Sequence, residues 1–257
     1  MPSSPIVPPE SALDDPLLWL QQQHYMFGNC AVRAYDRTQP AEFQPEPYLA
    51  HLYYRTRASG RSRLGSLPAL FCGMTDLSLD AICSYLHQRL VLVLGEYRES
   101  PALIDPTDPL PQDFEELCAP QFHALGYAFP AVLPIATSAS GSGNSMFIGY
   151  TFFQPAWRTP QQTVLMYLGL AYFFQEFRLD AMHGIRYADN RLTARLAAKF
   201  GFEDIGTIPK YMRSHETGEL VATTVSTLSR ETLVGLLRGV LAGLREAKDP
   251  EGDEAQS

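Results

Sequence analysis

The feature of this sequence that most constrains its fold is an apolar segment, Val164 to Phe174, that directly follows a strong helix start. Thr159, Pro160 and Gln162 form a Thr-x-x-Gln capping box with proline at the first helical position, a pattern typical of helix N-termini. The helix predicted from Pro160 to Phe177 is apolar on nearly every face, whereas a surface helix is apolar on one. We therefore expect it to be buried on more than one side.

Predicted strands precede and follow this helix in the sequence, and a second predicted helix comes after them. Met146 to Phe153 and Ala181 to Tyr187 have the composition of strands, and Asn190 caps a helix that closes at Gly201. The other predicted elements are strands at Cys30–Tyr35, Leu49–Arg57, Val91–Gly95 and Ala131–Ile135, a helix at Leu77–Arg89, a hairpin of Ile205–Ile208 and Leu220–Leu228, and a final helix capped by Ser229. This order predicts an α/β fold in which helices flank a sheet.

The composition favours one domain. The chain has 257 residues, of which 46% are hydrophobic, enough to fill a core, and we find neither a long linker nor a repeat. Residues 1–20 are expected to be an N-terminal tail, without the basic flank and apolar stretch of a signal peptide, and residues 248–257 an acidic tail. A single domain then covers 21–247, with its most recognisable motifs in 147–228 and a closing helix in 229–247.

Charge and cysteine content exclude several classes of protein. The formal net charge of −8 argues against a protein that coats nucleic acid or anionic membranes. The four cysteines have neither the spacing of a zinc site nor that of a close pair, so we expect no metal and reduced thiols. The apolar segment Val164 to Phe174 is well short of the roughly 20 residues that a membrane-spanning helix needs. These features predict a cytoplasmic protein without a membrane anchor.

The segment from Asn190 to Phe202 carries a resemblance to a known family. Its sequence, Asn190-Arg-Leu-Thr-Ala-Arg-Leu-Ala-Ala-Lys-Phe-Gly-Phe202, resembles the Asn, helix, Lys-apolar-Gly-Phe signature of the GNAT acetyltransferases. The branch that acetylates ribosomal-protein N-termini is the most similar, and Ile148 to Tyr150 and Ala171 to Leu179 also fit it. The match covers Phe147 to Leu228, about a third of the chain.

The resemblance implies a GNAT-like fold, with a mixed, mostly antiparallel sheet flanked by helices, and acetyl-CoA as cosubstrate. Two neighbouring strands are expected to splay apart, so that unpaired backbone groups on the strand ending near Phe153 bond the pantetheine arm. The helix start at Thr159 to Gln162 would offer free amides and a positive dipole end to the pyrophosphate. The residues that the resemblance assigns to the cofactor site are Phe152, Phe153, Trp157, Arg158, Thr159, Gln161, Gln162, Asn190 and Arg195.

Two positions depart from the family pattern. The phosphate loop is expected to have Arg or Gln followed by two glycines, but this chain has Arg158-Thr-Pro-Gln-Gln162. Many members have a tyrosine that protonates the leaving thiolate in the second helix, and the matching residue here is Ala197. The nearest substitutes in the sequence, and our candidates for a catalytic role, are Tyr187, Tyr211 and His183.

Several of these residues have two interpretations. Asn190 is a helix cap, with a direct cofactor contact as a further role. His183 is either a hydrogen-bonded core histidine or a general base. Arg191, Arg195 and Lys199 share one helix face, which is either solvated or in contact with the ribose phosphate of the cofactor.

Two functions follow from the sequence. The first is an N-acetyltransferase that moves an acetyl group from acetyl-CoA to a primary amine, on a small molecule or a protein N-terminus. The alternative is a non-catalytic GNAT-fold binding or assembly module, which the missing glycines and tyrosine favour. The expected binding partner is a small-molecule or peptide amine, and neither a membrane nor nucleic acid is expected as a partner. A homodimer is left open.

Overall fold

The computed structural model describes residues 7–35, 91–97, 122–131, 144–152, 159–213 and 218–246. After a short 3₁₀ helix, Glu10–Leu13, the helices are α1 (Pro16–Gln22), α2 (Pro160–Glu176), α3 (Arg191–Lys199) and α4 (Arg230–Glu246). The strands are β1 (Met26–Phe27), β2 (Cys30–Tyr35), β3 (Val91–Tyr97), β4 (Phe122–Ala131), β5 (Ser145–Phe152), β6 (Ala181–Tyr187), β7 (Glu203–Arg213) and β8 (Leu220–Ser229).

The eight strands form one sheet in the order β1-β2-β3-β4-β5-β6-β8-β7. Every neighbouring pair is antiparallel except β5 and β6, which run parallel and are connected through α2. A parallel pair needs such a crossover, whereas a short turn joins antiparallel strands. The expected α/β fold with a mixed, mostly antiparallel sheet is therefore confirmed.

The α2 helix lies at the centre of the core. Leu165, Phe173 and Phe174 are fully buried, and α1 and α4 pack in the same hydrophobic cluster. We call the side of the sheet that supports this cluster the helix face; its residues include Val32, Leu94, Ile148, Met182 and Leu228. The burial of α2 on more than one side, predicted from its uniform apolar composition, is confirmed.

The N-terminal boundary needs a correction. Residues 1–20 were expected to be a tail, but Leu17 is fully buried and Leu20 nearly so. Arg238 of α4 also donates hydrogen bonds to the carbonyl oxygens of Leu13 and Asp14, at 2.8 and 2.9 Å. The proline-rich start of the chain is typical of a tail. A short helix nevertheless follows it, because Asp15 caps the helix and proline occupies its first turn, where it is favoured.

The strand predictions differ in their outcome. The predicted bounds Cys30–Tyr35 and Ala181–Tyr187 agree with β2 and β6. The strand expected at Ala131–Ile135 meets β4 only at Ala131, and no local pattern predicted the rest of β4, which contains Gly126 and Pro130. These residues favour turns, but pairing with β3 on one side and β5 on the other overrides that preference. The elements expected at Leu49–Arg57 and Leu77–Arg89 lie outside the described residues.

The end of α3 has the predicted glycine cap. Gly201 has φ +79°, and the amide of Phe202 donates to the carbonyl oxygen of Ala197 at 3.0 Å. A Cβ atom at Gly201 would come within 2.8 Å of Leu236 Cδ1 and 2.9 Å of Thr232 Cγ2, both on α4. Position 201 thus requires glycine for its backbone conformation and for the packing of α4.

We predict that Gly201→Val lowers the free energy of unfolding by about 2 kcal/mol or more, from left-handed strain and contact with α4. Gly218→Val is the matched control, because Gly218 has φ +72° but no atom of the described residues lies within 4 Å of its Cβ position. Chemical denaturation of both variants measures the difference. A smaller loss for Gly201→Val than for Gly218→Val would contradict the contact with α4.

Candidate functional site

The parallel strands β5 and β6 pair over three residues and then separate. The paired residues are Ser145 with Ala181, Met146 with Met182, and Phe147 with His183. Beyond them β5 continues to Phe152 on its β4 side, and β6 continues to Tyr187 on its β8 side. No further pair joins the two strands within the described residues. The expected splay is present, and part of the backbone along the inner edges of both strands has no ladder partner there.

The closed end of the splay is fixed by a reciprocal clamp between Asn144 and Asp180. The amide of Asn144 donates to Asp180 Oδ2, and the amide of Asp180 donates to the carbonyl oxygen of Asn144, both at 2.9 Å. The amide of Arg230, at the start of α4, donates to the carbonyl oxygen of Asp180 at 2.9 Å. The strands therefore diverge from a fixed point.

The N-terminus of α2 has the predicted cap. Thr159 Oγ1 accepts a hydrogen bond from the amide of Gln162 at 3.2 Å. Pro160 has no amide hydrogen, so Gln161 is the first-turn residue whose amide remains for a ligand. Gln162 is only 8% exposed, which leaves its side chain on the core side of the helix. This helix start thus has fewer donors than the sequence analysis expected.

A lysine of α3 contacts the beginning of α2. Lys199 Nζ donates to Thr163 Oγ1 at 2.7 Å, and in the described part of the chain Lys199 has no ion pair with a carboxylate. The first turn of α2 contains no acidic residue. Arg195, one turn earlier on α3, is exposed on the same helix face as Lys199. The N-terminus of a helix carries a partial positive charge, and the lysine adds to it. This end of α2 is therefore suited to bind an anion.

Asn190 acts as the cap of α3. Its Oδ1 accepts a hydrogen bond from the amide of Thr193 at 3.1 Å. The capping interpretation is confirmed, and the direct cofactor contact remains a prediction. Since α3 follows β6 and α2 follows β5, both helices begin beyond the open ends of the splayed strands.

His183 lies at the last paired position of the splay. Its ring centroid is 5.0 Å from that of Phe147, its partner on β5. Side chains alternate along a strand, so His183 lies on the opposite side of the sheet from Met182, away from the helix face. Its Nδ1 is buried and has no hydrogen-bond partner among the described residues, and burial lowers the pKa of the imidazole. The hydrogen bond expected of a satisfied core histidine is missing at this nitrogen.

The other two catalytic candidates belong to a small cluster on β6 to β8. Tyr187 and Met212 are buried there, with Ile185, Tyr211 and Val221 packed against them. Tyr187 and Ile185 share a side of β6 with His183 because they follow it at intervals of two. The structure therefore places two of the candidates on one side of β6 and packs Tyr211 against the same cluster.

Some predicted cofactor residues are not tested by the geometry. Phe153, Trp157 and Arg158 lie outside the described residues, and Phe152 is described only as the last residue of β5. Their roles remain predictions.

Sequence reasoning missed the contact between Lys199 and Thr163. The signal was present, since Lys199 follows Arg195 at helical spacing, but the pattern does not show which element the face meets. It also gave no reason to place His183 at the point where two strands separate, because that depends on the register of β5 against β6.

A polar groove of about 490 Å³ lies at the opposite end of α2. It is lined by Gln21, Gln175, Glu176, Arg178, Asp180 and Arg230. Its side chains bond one another: Glu176 accepts from Tyr25 and Gln21, and Gln175 Oε1 accepts from Arg230 at 2.8 Å. The groove is thus explained by the hydrogen bonds that join α1, α2 and α4.

The described residues contain neither a candidate metal centre nor a candidate membrane span. They include no group of three or more His, Cys, Asp and Glu residues arranged to hold a metal ion. None of their helices combines the length and the apolar character that crossing a membrane requires.

Solved structures with the same arrangement are GNAT proteins. A probable GNAT-family acetyltransferase from Chromobacterium violaceum is 18% identical, with 81% of this chain and 86% of that chain covered at a TM-score of 0.50. Mycobacterium smegmatis RimJ in complex with CoA-disulfide is 15% identical, with 83% and 89% covered at 0.51. Vibrio cholerae spermidine N-acetyltransferase in complex with CoA and spermine is 10% identical, with 80% and 98% covered at 0.51.

The chain has the GNAT acetyltransferase fold. No protein-family model matches the sequence, and no curated protein matches it either. The identities to the solved GNAT structures are low, so the likeness concerns the fold. It extends over most of the chain, whereas the sequence resemblance covered about a third of it.

We predict that His183 makes stability depend on pH. The unfolded chain takes up a proton at the usual histidine pKa of about 6.5, while the folded protein does so only at lower pH. The free energy of unfolding should therefore fall as the pH drops below about 6.5, with a slope of at most about 1.4 kcal/mol per pH unit from this group.

Denaturation of the wild type and His183→Gln between pH 5 and pH 8 tests this. The stability difference should change below pH 6.5, in favour of the variant, and stay constant above it. Parallel curves over the whole range would contradict the shift.

Proposed function

We propose that this protein is an N-acetyltransferase that uses acetyl-CoA and a primary amine as substrates. The observation that carries the proposal is the splay between β5 and β6 beyond Phe147 and His183. Strand edges without a partner are costly when buried, and a ligand with amide groups satisfies them. The pantetheine arm of acetyl-CoA has two such amides.

The two ends of the cofactor fit two different parts of the chain. The arm would lie against the inner edge of β5, with the thioester towards the closed end of the splay. The pyrophosphate would lie at the N-terminus of α2, where Gln161 offers its amide. When bound, acetyl-CoA supplies an activated acetyl group; the protein binds it, orients it and excludes water.

Lys199 supplies charge that the helix start no longer provides through glycines. With Pro160 lacking an amide hydrogen and the Gln162 amide bonded to Thr159, backbone donors alone are few. Lys199 is held beside Thr163 at 2.7 Å and is close enough to the first turn to reach a phosphate oxygen. A hydrogen bond between ions is roughly twice as strong as a neutral one. Arg158 and Arg195 are proposed to add to this charge.

The acceptor is proposed to be a primary amine, on a small molecule or at a protein N-terminus. Two of the proteins with this fold are a spermidine N-acetyltransferase and RimJ. Their substrates do not transfer to this chain, but the chemistry of amine acetylation is compatible with the site. The reaction requires that the ammonium form lose a proton before it attacks the thioester.

A second function, a binding module without transfer activity, is favoured by one observation. The first turn of α2 has lost donors, and Ala197 occupies the position of the expected tyrosine. The two functions differ in what happens to bound acetyl-CoA. The enzyme releases CoA in the presence of an amine, whereas the module binds acetyl-CoA and releases no CoA.

We predict that Lys199→Met weakens acetyl-CoA binding by roughly tenfold, as expected for the loss of a charge-assisted hydrogen bond. Arg178→Asn is the matched control: it removes the same charge just past the opposite end of α2, about 25 Å away at 1.5 Å per residue. Asparagine also tolerates the left-handed backbone of Arg178, which has φ +49°.

Calorimetry on the wild type and both variants measures the affinities. Equal losses in the two variants would show a general charge effect and contradict a phosphate site at α2. Arg158→Ala is expected to weaken binding by about tenfold as well. Arg61 belongs to a Gly/Ser-containing segment with Arg55, Arg57 and Arg63, far from Arg158 in the sequence, and Arg61→Ala is expected to leave the affinity unchanged. An acetyl-CoA affinity that neither Lys199→Met nor Arg158→Ala alters would contradict the proposed site.

A further inference from the structure

We propose that His183 is the general base that removes the proton from the acceptor amine. This rests on the proposed acetyl transfer. Three observations carry it: the position of His183 in the splay, the unsatisfied nitrogen of its ring, and the groups that surround it.

The position is the closed end of the gap between β5 and β6. His183 is the last residue of β6 that pairs with β5, and Phe147 is its partner. A thioester at the closed end of the splay would lie next to this pair. Of the three candidates, Tyr187 is four residues further along β6, where the strands have separated, and Tyr211 is on the edge strand β7. His183 is therefore the candidate best placed for the reacting atoms.

The ring nitrogen Nδ1 is the second observation. It is buried, and no residue in the described part of the chain forms a hydrogen bond with it. A buried polar atom without a partner has lost its hydrogen bonds to water, so folded proteins satisfy nearly all such atoms. Exceptions are found where a ligand or substrate completes the bonding. The ammonium group of an amine bound next to the splay would donate a hydrogen bond to Nδ1 of His183.

The surroundings keep the imidazole uncharged. Phe147 packs against the ring at 5.0 Å, and Ile185 follows on the same side of β6. Across β8 and β7, Glu203 is aligned with His183 through Thr227, and Tyr187 and Tyr211 belong to the neighbouring cluster on β6 to β8. Glu203 is exposed and two strands away, so apolar burial is the stronger influence on His183. An uncharged imidazole is the form that accepts a proton.

The proposed step balances as follows. A ring nitrogen of His183 takes one proton from the ammonium group, and the free amine forms a bond from nitrogen to the acetyl carbon. The bond from carbon to sulfur breaks, and sulfur leaves with the electron pair. The second proton on nitrogen passes to the sulfur, which gives the amide and the CoA thiol. The imidazolium then returns its proton to solvent.

The experiment compares the wild type with His183→Gln and Tyr211→Phe. The probes are spermidine and a peptide with a free alanine N-terminus, and release of the CoA thiol is followed from pH 5.5 to pH 9. His183→Gln should bind acetyl-CoA within about twofold of the wild type, while kcat at pH 7 falls by about a hundredfold or more. The acidic limb of the wild-type kcat/KM profile should disappear, and added imidazole should restore part of the rate.

The outcomes separate this proposal from the proposed function. Transfer by the wild type, with an unchanged rate and acidic limb in His183→Gln, overturns the role of His183 and leaves acetyl transfer intact. A rate loss confined to Tyr211→Phe does the same. A wild type that binds no acetyl-CoA, or binds it without CoA release on either amine, overturns the proposed function and the role of His183 together.

Discussion

The interruption of pairing between β5 and β6 is the constraint on which the rest of the site depends. Asn144 and Asp180 clamp the two strands at one end, and pairing stops at Phe147 and His183. Each strand is held on its other side, by β4 and by β8, and α2 connects them through the core. Closing the gap would require moving both halves of the sheet, so the opening is built into the fold.

The same arrangement explains why the helix start and the histidine belong to one site. A strand that ends at the open side of the splay leads into α2, whose first turn meets Lys199 of α3. A strand that begins at the closed side brings His183 against Phe147. In the proposed reaction, one end of the gap would offer charge to the phosphate groups, and the other would offer an imidazole base in apolar surroundings. Acetyl transfer from acetyl-CoA to an amine would use both, since the charge would bind the pyrophosphate and the base would take a proton from the amine.

Local signals in the sequence were sufficient for the elements closest to the site. The threonine cap at Thr159, the asparagine cap at Asn190 and the glycine end at Gly201 all depend on residues within one turn, and each is present in the structure. The core helix α1 was missed because it follows a proline-rich segment, and most of β4 was missed because strand pairing overrides its proline and glycine content. The pairing of His183 with Phe147, and the partner of Lys199, depend on register and on packing between elements, which local patterns do not encode.

The measurement that tests the account most directly is amide hydrogen exchange of β5, resolved by residue, with and without acetyl-CoA. In an antiparallel ladder alternate amides point away from the partner strand, so those of Ile148 to Phe152 that do not bond β4 face the gap. The account predicts that acetyl-CoA slows exchange at these alternate amides and leaves the amides bonded to β4 unchanged. Binding of acetyl-CoA with no change along the inner edge of β5 would contradict the splay as the cofactor site.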